Sequence, residues 1–217
     1  MAVTTPARPA APAVAASSVA PDATAPRLGV GPLPAPRRTV LGMLLVVGAE
    51  AMVLGTLLAT YFAIKGGSPR WPAKGVKLGT YLPTVITITA AMSAVAAAWM
   101  VHAVRRNDQR NGFAAAVLTI VLGLAMANAQ WYSMHKAGFA ASKHAYGTLY
   151  YLLIGFHLVH LVAGIVMLVI VAGQILAGHV HRDDGNVRAA SIFWQFGNAA
   201  WFSIMFTLFA LSRHAHK

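Results

Sequence analysis

Five long apolar runs, separated by short polar clusters, set the pattern along the chain. They fall at about 39–64, 79–103, 112–133, 146–176 and 190–211. A helix needs about 20 mostly apolar residues to cross the hydrocarbon core of a bilayer, and each run supplies them. None shows the period-two alternation of a lipid-facing barrel strand. The pattern predicts an all-α fold, a polytopic membrane bundle of five transmembrane helices filling residues 39–212. The fourth run exceeds what an upright crossing requires, so tilt or protrusion is expected of it. Small residues mark surfaces for close helix approach: Gly42, Gly48 and Gly55 in the first run, and Ala90, Ser93, Ala94 and Ala97 in the second.

The segments around the runs read differently. Residues 1–38 are rich in Ala and Pro and hold no aromatic residue. Prolines from Pro6 to Pro36 forbid a stable helix there, so a flexible tail is expected. The basic pair Arg37–Arg38 stands too far from the start for a standard secretory signal. Residues 213–217 form a basic tail. Gly66, Gly67, Pro69 and Pro72 break the helix over 65–78, where Trp71 is expected at headgroup level. The turn at 107–111 is short, which makes the second and third spans antiparallel neighbours.

Composition sharpens this picture. Hydrophobic residues make up 58% of the 217 and charged residues only 10%, against about 25% charged in soluble domains. The net charge of +12 is scattered between apolar runs and forms no basic stripe. It suits anionic headgroups and excludes nucleic acid as a partner. Lys and Arg divide almost evenly between the two sides of the bundle. Only the pair at 37–38 and the cluster at 105–110 point to a cytoplasmic N-terminus. The chain has no cysteine, which removes thiolate and disulfide chemistry. No phosphate-cradling Gly-Lys motif, nucleophile elbow or zincin motif occurs.

Polar residues inside the runs are few. Glu50 lies near the middle of the first. His157 and His160 lie in the fourth, three apart on one helical face. Gln195 and Asn198 share a face of the fifth, while Asn128 and Gln130 lie towards the end of the third. Ionisable groups at membrane depth are costly unless they meet protein, cofactor or water, so a shared interior polar set is expected.

Three functions fit that set. Pairing Glu50 with a histidine would fix helix register or tune a proton affinity, in an accessory chain whose chemistry lies elsewhere. A haem carrier would need axial histidines from two spans, and outside the fourth only the peripheral His102 is available. A transporter would line a cavity with the same groups, yet no inverted pair of broken helices appears. His179, His181, Asp183 and Asp184 make a weak metal motif in a mixed-charge loop. Glu50→Gln is expected to perturb the protein more than Leu54→Ala, at a position expected to face outward.

Several of these residues also stand in a known order. Gly155-Phe156-His157-Leu158-Val159-His160, with Gly164 a turn farther on, gives a GFHxxH-and-glycine pattern. The first run adds Gly48-Ala49-Glu50-Ala51-Met52-Val53-Leu54, followed by Ala59, Thr60, Tyr61 and Phe62. Leu118–Gly123 through Gln130 and the pair Phe193-Trp194 extend the match. Over about 39–211 the chain resembles subunit III of the haem–copper respiratory oxidases, cytochrome c or quinol oxidase, in its short five-helix bacterial form.

The resemblance implies a non-catalytic accessory subunit of the bacterial cytoplasmic (inner) membrane. Such a subunit holds no cofactor of its own. Haem and copper belong to partner subunits, namely subunit I, on which it packs, and subunit II. It binds phospholipid in a cleft and supports proton uptake and turnover stability. On this resemblance Glu50, His157, His160, Gln130, Gln195 and Asn198 are the buried polar or lipid-cleft candidates. Ser133 stands where the family usually has a glutamate, and Gln195 and Asn198 replace a histidine and an aspartate. Those amides keep hydrogen bonding without titrating. An accessory subunit of nitric oxide reductase or another specialised respiratory complex is the alternative assignment.

Overall fold

The computed structural model describes residues 34–72, 76, 79–182 and 184–210. Residues 1–33 of the tail expected at 1–38, the basic tail expected at 213–217, and Asp183 lie outside the described residues. The elements are α1 (Ala35–Gly67), α2 (Tyr81–Arg105), α3 (Gln109–His135), α4 (Ala145–Leu176) and α5 (Gly185–Met205). A 3₁₀ turn, Ala141–Lys143, precedes α4, and α5 continues into a π-helical turn over Phe206–Ala210. Among the described residues five helices are long and apolar enough to cross a membrane, which is the all-α polytopic bundle that the apolar runs predict.

Helix ends follow capping chemistry rather than hydropathy. The first helix begins at Ala35, inside the stretch whose prolines predict a tail, because Pro36 falls in its first turn. A proline there loses an N–H that has no partner anyway. Asp108 caps α3 by accepting from Asn111 N at 3.0 Å. His144 caps α4 through Nδ1, which accepts from Gly147 N at 2.8 Å. Asp184 accepts from Asn186 N and Val187 N, and so starts α5 well before the apolar run at 190.

Helices α2, α3, α4 and α5 close into a ring, each packed on the next and α5 back on α2. The first helix lies outside that ring, against α5 and α4. It runs parallel to α5. At one end the backbone of Pro36 passes 2.8 Å from where a Cβ on Gly185 would be. At the other end Tyr61 donates its hydroxyl to the Thr207 carbonyl at 3.2 Å.

Only Leu54 and Tyr61 of α1 are buried. Leu54 therefore faces the bundle, which corrects the outward position that the sequence suggests for it. Gly42, Gly48 and Gly55 have no neighbour within 4 Å of where a Cβ would sit, so within this chain they bring no helices together. Close approach happens elsewhere. A Cβ on Gly123 would lie 2.5 Å from the Trp194 indole, and one on Gly164 would lie 2.9 Å from it. Trp71 is buried within the chain. Its indole N–H donates to Tyr61 Oη at 2.9 Å, and its ring packs edge-on to Tyr61 and Tyr146.

Candidate functional site

The polar residues inside the bundle gather around α5. His160, on α4, stacks on Phe193 with ring centroids 3.9 Å apart. Its Nε2 lies 3.1 Å from the Phe193 carbonyl, to which it donates. That bond leaves Nδ1 facing Glu50 Oε2 across 2.6 Å. One proton lies between the two groups, on the carboxyl or on the ring. The His160 side chain is 3% exposed and that of Glu50 27%, so the acid forms the outer edge of the pair. This contact ties α1 to the ring at membrane depth.

His157 is fully enclosed. Its Nε2–H donates to the Gly197 carbonyl at 3.0 Å. The other ring nitrogen accepts from Gln130 Nε2 at 2.6 Å, joining α4 to α3. Trp201 lies over the ring at 5.3 Å. Gly197 links the two imidazoles. Its carbonyl holds His157, while a Cβ at this position would sit 2.6 Å from the His160 ring. Glycine is required there by space alone.

A third cluster joins α5 to α2. Trp194 Nε1–H donates to Ser93 Oγ at 3.2 Å, and Ser93 lies 3.3 Å from Asn198 Oδ1. Gln195 donates to the Ala94 carbonyl at 2.8 Å. Trp201 Nε1–H donates to Thr87 Oγ1 at 3.0 Å. The six sequence candidates Glu50, His157, His160, Gln130, Gln195 and Asn198 all join these clusters, while Asn128 is exposed. Ser93, Thr87, Gly197 and Phe193 complete the clusters without standing out in the sequence as site residues. Trp194 and Trp201, seven apart on one face, join Gln195 and Asn198 as the sequence signal for the α2 contact.

The clusters can bond helices and hold a proton. His102 is exposed at the end of α2. His179 and His181 are exposed. Among the described residues no group of three His, Cys, Asp or Glu could hold a metal ion.

Fold and site together define a polytopic helical membrane protein with an interior polar set and, among its described residues, no metal-binding or catalytic motif. Its family follows from comparison: the family model for cytochrome c oxidase subunit III matches residues 34–213. The chain belongs to the cytochrome c oxidase subunit III family. A cytochrome c oxidase subunit 3 of Thermostichus vulcanus is 24% identical over 176 residues, covering 80% of this chain and 88% of that protein. Its counterpart in Arabidopsis thaliana is 25% identical over 177 residues, covering 77% and 66%. In Gallus gallus the values are 26% over 176 residues, covering 77% and 67%. The chain thus spans about two thirds of the longer relatives.

Proposed function

We propose that this chain is a non-catalytic accessory subunit of a haem–copper terminal oxidase in the bacterial cytoplasmic membrane. It packs on catalytic subunit I beside subunit II, with its N-terminus on the cytoplasmic side. There it binds phospholipid and supports proton uptake and turnover stability during oxygen reduction. The observation that carries this reading is the family match across 34–213, which takes in all five spans.

Three features of the chain support it. The outer face of α1 presents Leu45, Met52 and Val53, an apolar surface for a partner helix or lipid. Glu50 keeps one edge of its pair with His160 open beside that face. A groove of about 260 Å3 runs between α1, α4 and α5, with Met43, Met167 and Ile170 within and Thr39, Gln174 and Asn186 around it. Apolar walls with amides at the helix ends suit an acyl chain below its headgroup.

Purification in mild detergent tests the proposal. The chain is expected to co-purify with a partner that holds both haem and copper, identified by mass spectrometry and metal analysis. A partner with neither centre would overturn the reading. The neutral residues Ser133, Gln195 and Asn198 favour one second reading, a specialised complex such as nitric oxide reductase. A partner with haem and without copper would decide for it.

A further inference from the structure

One end of the helix ring, where α2 and α4 begin and α3 and α5 finish, holds a cavity of about 410 Å3. Tyr81, Tyr132, Ser133, Lys136, Tyr150 and Phe209 are among the residues lining it. Helix ends lie at the level where membrane meets water, and phenols with a lysine are the groups expected there. In its wall Ser133 Oγ and Tyr150 Oη lie 3.3 Å apart, bridging α3 and α4. One turn deeper, Gln130 and His157 bridge the same two helices at 2.6 Å. Lys136, Ser133 and Gln130 fall at successive steps of three on α3, so a polar stripe leads from the cavity into the core.

At the inner rung, Gln130 is wholly buried and its Oε1 has no hydrogen-bond partner. Turning the amide over does not cure this. His157 donates from Nε2 to the Gly197 carbonyl, so its Nδ1 is an acceptor and needs the amide N–H. A buried carbonyl oxygen without a donor is costly, and ordered water is the usual remedy.

We propose that this end of the ring is a water-filled vestibule, and that a water molecule drawn from it binds Gln130 Oε1 behind the Ser133–Tyr150 rung. Leu82, Ala137 and Phe209 make much of the lining apolar, and the hydroxyls and ammonium set among them are groups that water satisfies and an acyl chain does not. The site lies at the end of the bundle opposite Pro36 and Gly185, away from the Glu50–His160 pair. It stands on this geometry alone and does not depend on the identity of the partner subunits.

The lack of cysteine in the chain makes the test direct. Ser133→Cys introduces one thiol at the vestibule wall, and Val121→Cys introduces one on the outer face of α3, where Val121 is 55% exposed. Both variants are treated, in the assembled complex, with a charged thiol-specific reagent, and the mass of this chain reads the labelling rate. Thiolate formation and reagent charge are both disfavoured in hydrocarbon, so position 133 is expected to react about fiftyfold faster. Equal rates at the two positions, as when lipid or a neighbouring subunit fills the cavity, would overturn the vestibule. A high-resolution map of the unaltered complex reads the inner site without any variant. Solvent density at about 3 Å from Gln130 Oε1 is expected; its absence there would overturn the bound water.

Discussion

A methyl group on residue 197 would press on the His160 ring, which Glu50 and Phe193 hold from two other sides. Gly197→Ala is therefore expected to cost about 1–3 kcal/mol, as overpacking usually does, and to lower the melting temperature of the detergent-solubilised protein. An unchanged melt would show that the ring yields freely. Glu50 separates hydrogen bonding from titration. A glutamine can donate to His160 Nδ1, whereas a leucine cannot. Glu50→Gln is expected to assemble but lose activity sooner during turnover, and Glu50→Leu to assemble poorly. Met52→Ala, on the exposed face, is expected to do neither; complex yield and activity over time check all three. The sequence marks Glu50, His157 and His160 because polar groups stand out in apolar runs. It does not say that the histidines part company. Three residues are about 300° around a helix, so the rings point about 60° apart, enough for His160 to meet α1 and His157 to meet α3. Ser93 and Gly197 carry no such mark, since small residues in a thin helix look alike until a neighbour's ring is beside them.

Hydropathy makes the existence of each helix legible, but not its ends. Caps are made by single side chains in polar turns, where hydropathy is silent. Asp108 shows how such a cap responds to pH. Its carboxyl titrates below the usual value of 3.8, held down first by the Asn111 backbone N–H and then by the Asn111 side chain. Because the folded-state value lies below the unfolded one, the cap stabilises above the ordinary carboxylate range and fails as pH falls through the lowered value. Amide exchange over 109–112, corrected for intrinsic rates, is expected to be flat near neutrality and to rise only in acid. Asp108→Ala is expected to raise it at every pH above that acid range, and a flat profile into strong acid would contradict the cap. At the far end of α5, the π-helical turn has no signature in the pattern of apolar residues. Tyr61 and Tyr146 donate to the Thr207 and Leu208 carbonyls there. Tyr61→Phe removes one of these bonds and leaves the buried Trp71 N–H without its acceptor. The expected cost is about 1–3 kcal/mol, with faster amide exchange over 206–210 as the measurement.

At the scale of the molecule, the sequence shows five spans and one certain neighbour pair, the second and third, through the short turn at 107–111. It does not reveal that α2 to α5 close a ring with α1 outside it. Apolar residues facing lipid, a partner or another span of the same chain have the same hydropathy, so the ring is decided by shape. Trp194 seated against Gly123 and Gly164 is one such fit, and hydropathy does not separate these glycines from those of α1 that have no neighbour within 4 Å of a Cβ position. The position of α1 also sets a sequence of events during biosynthesis. Glu50 and His160 are 110 residues apart. At about 5–20 residues per second, a ribosome delivers the histidine roughly 5–20 s after the acid. For that interval the nascent first helix carries a lone carboxyl that its own chain cannot neutralise. Of these five helices the one made first is thus the last to be seated, and the insertion machinery must shelter it until the fourth and fifth arrive.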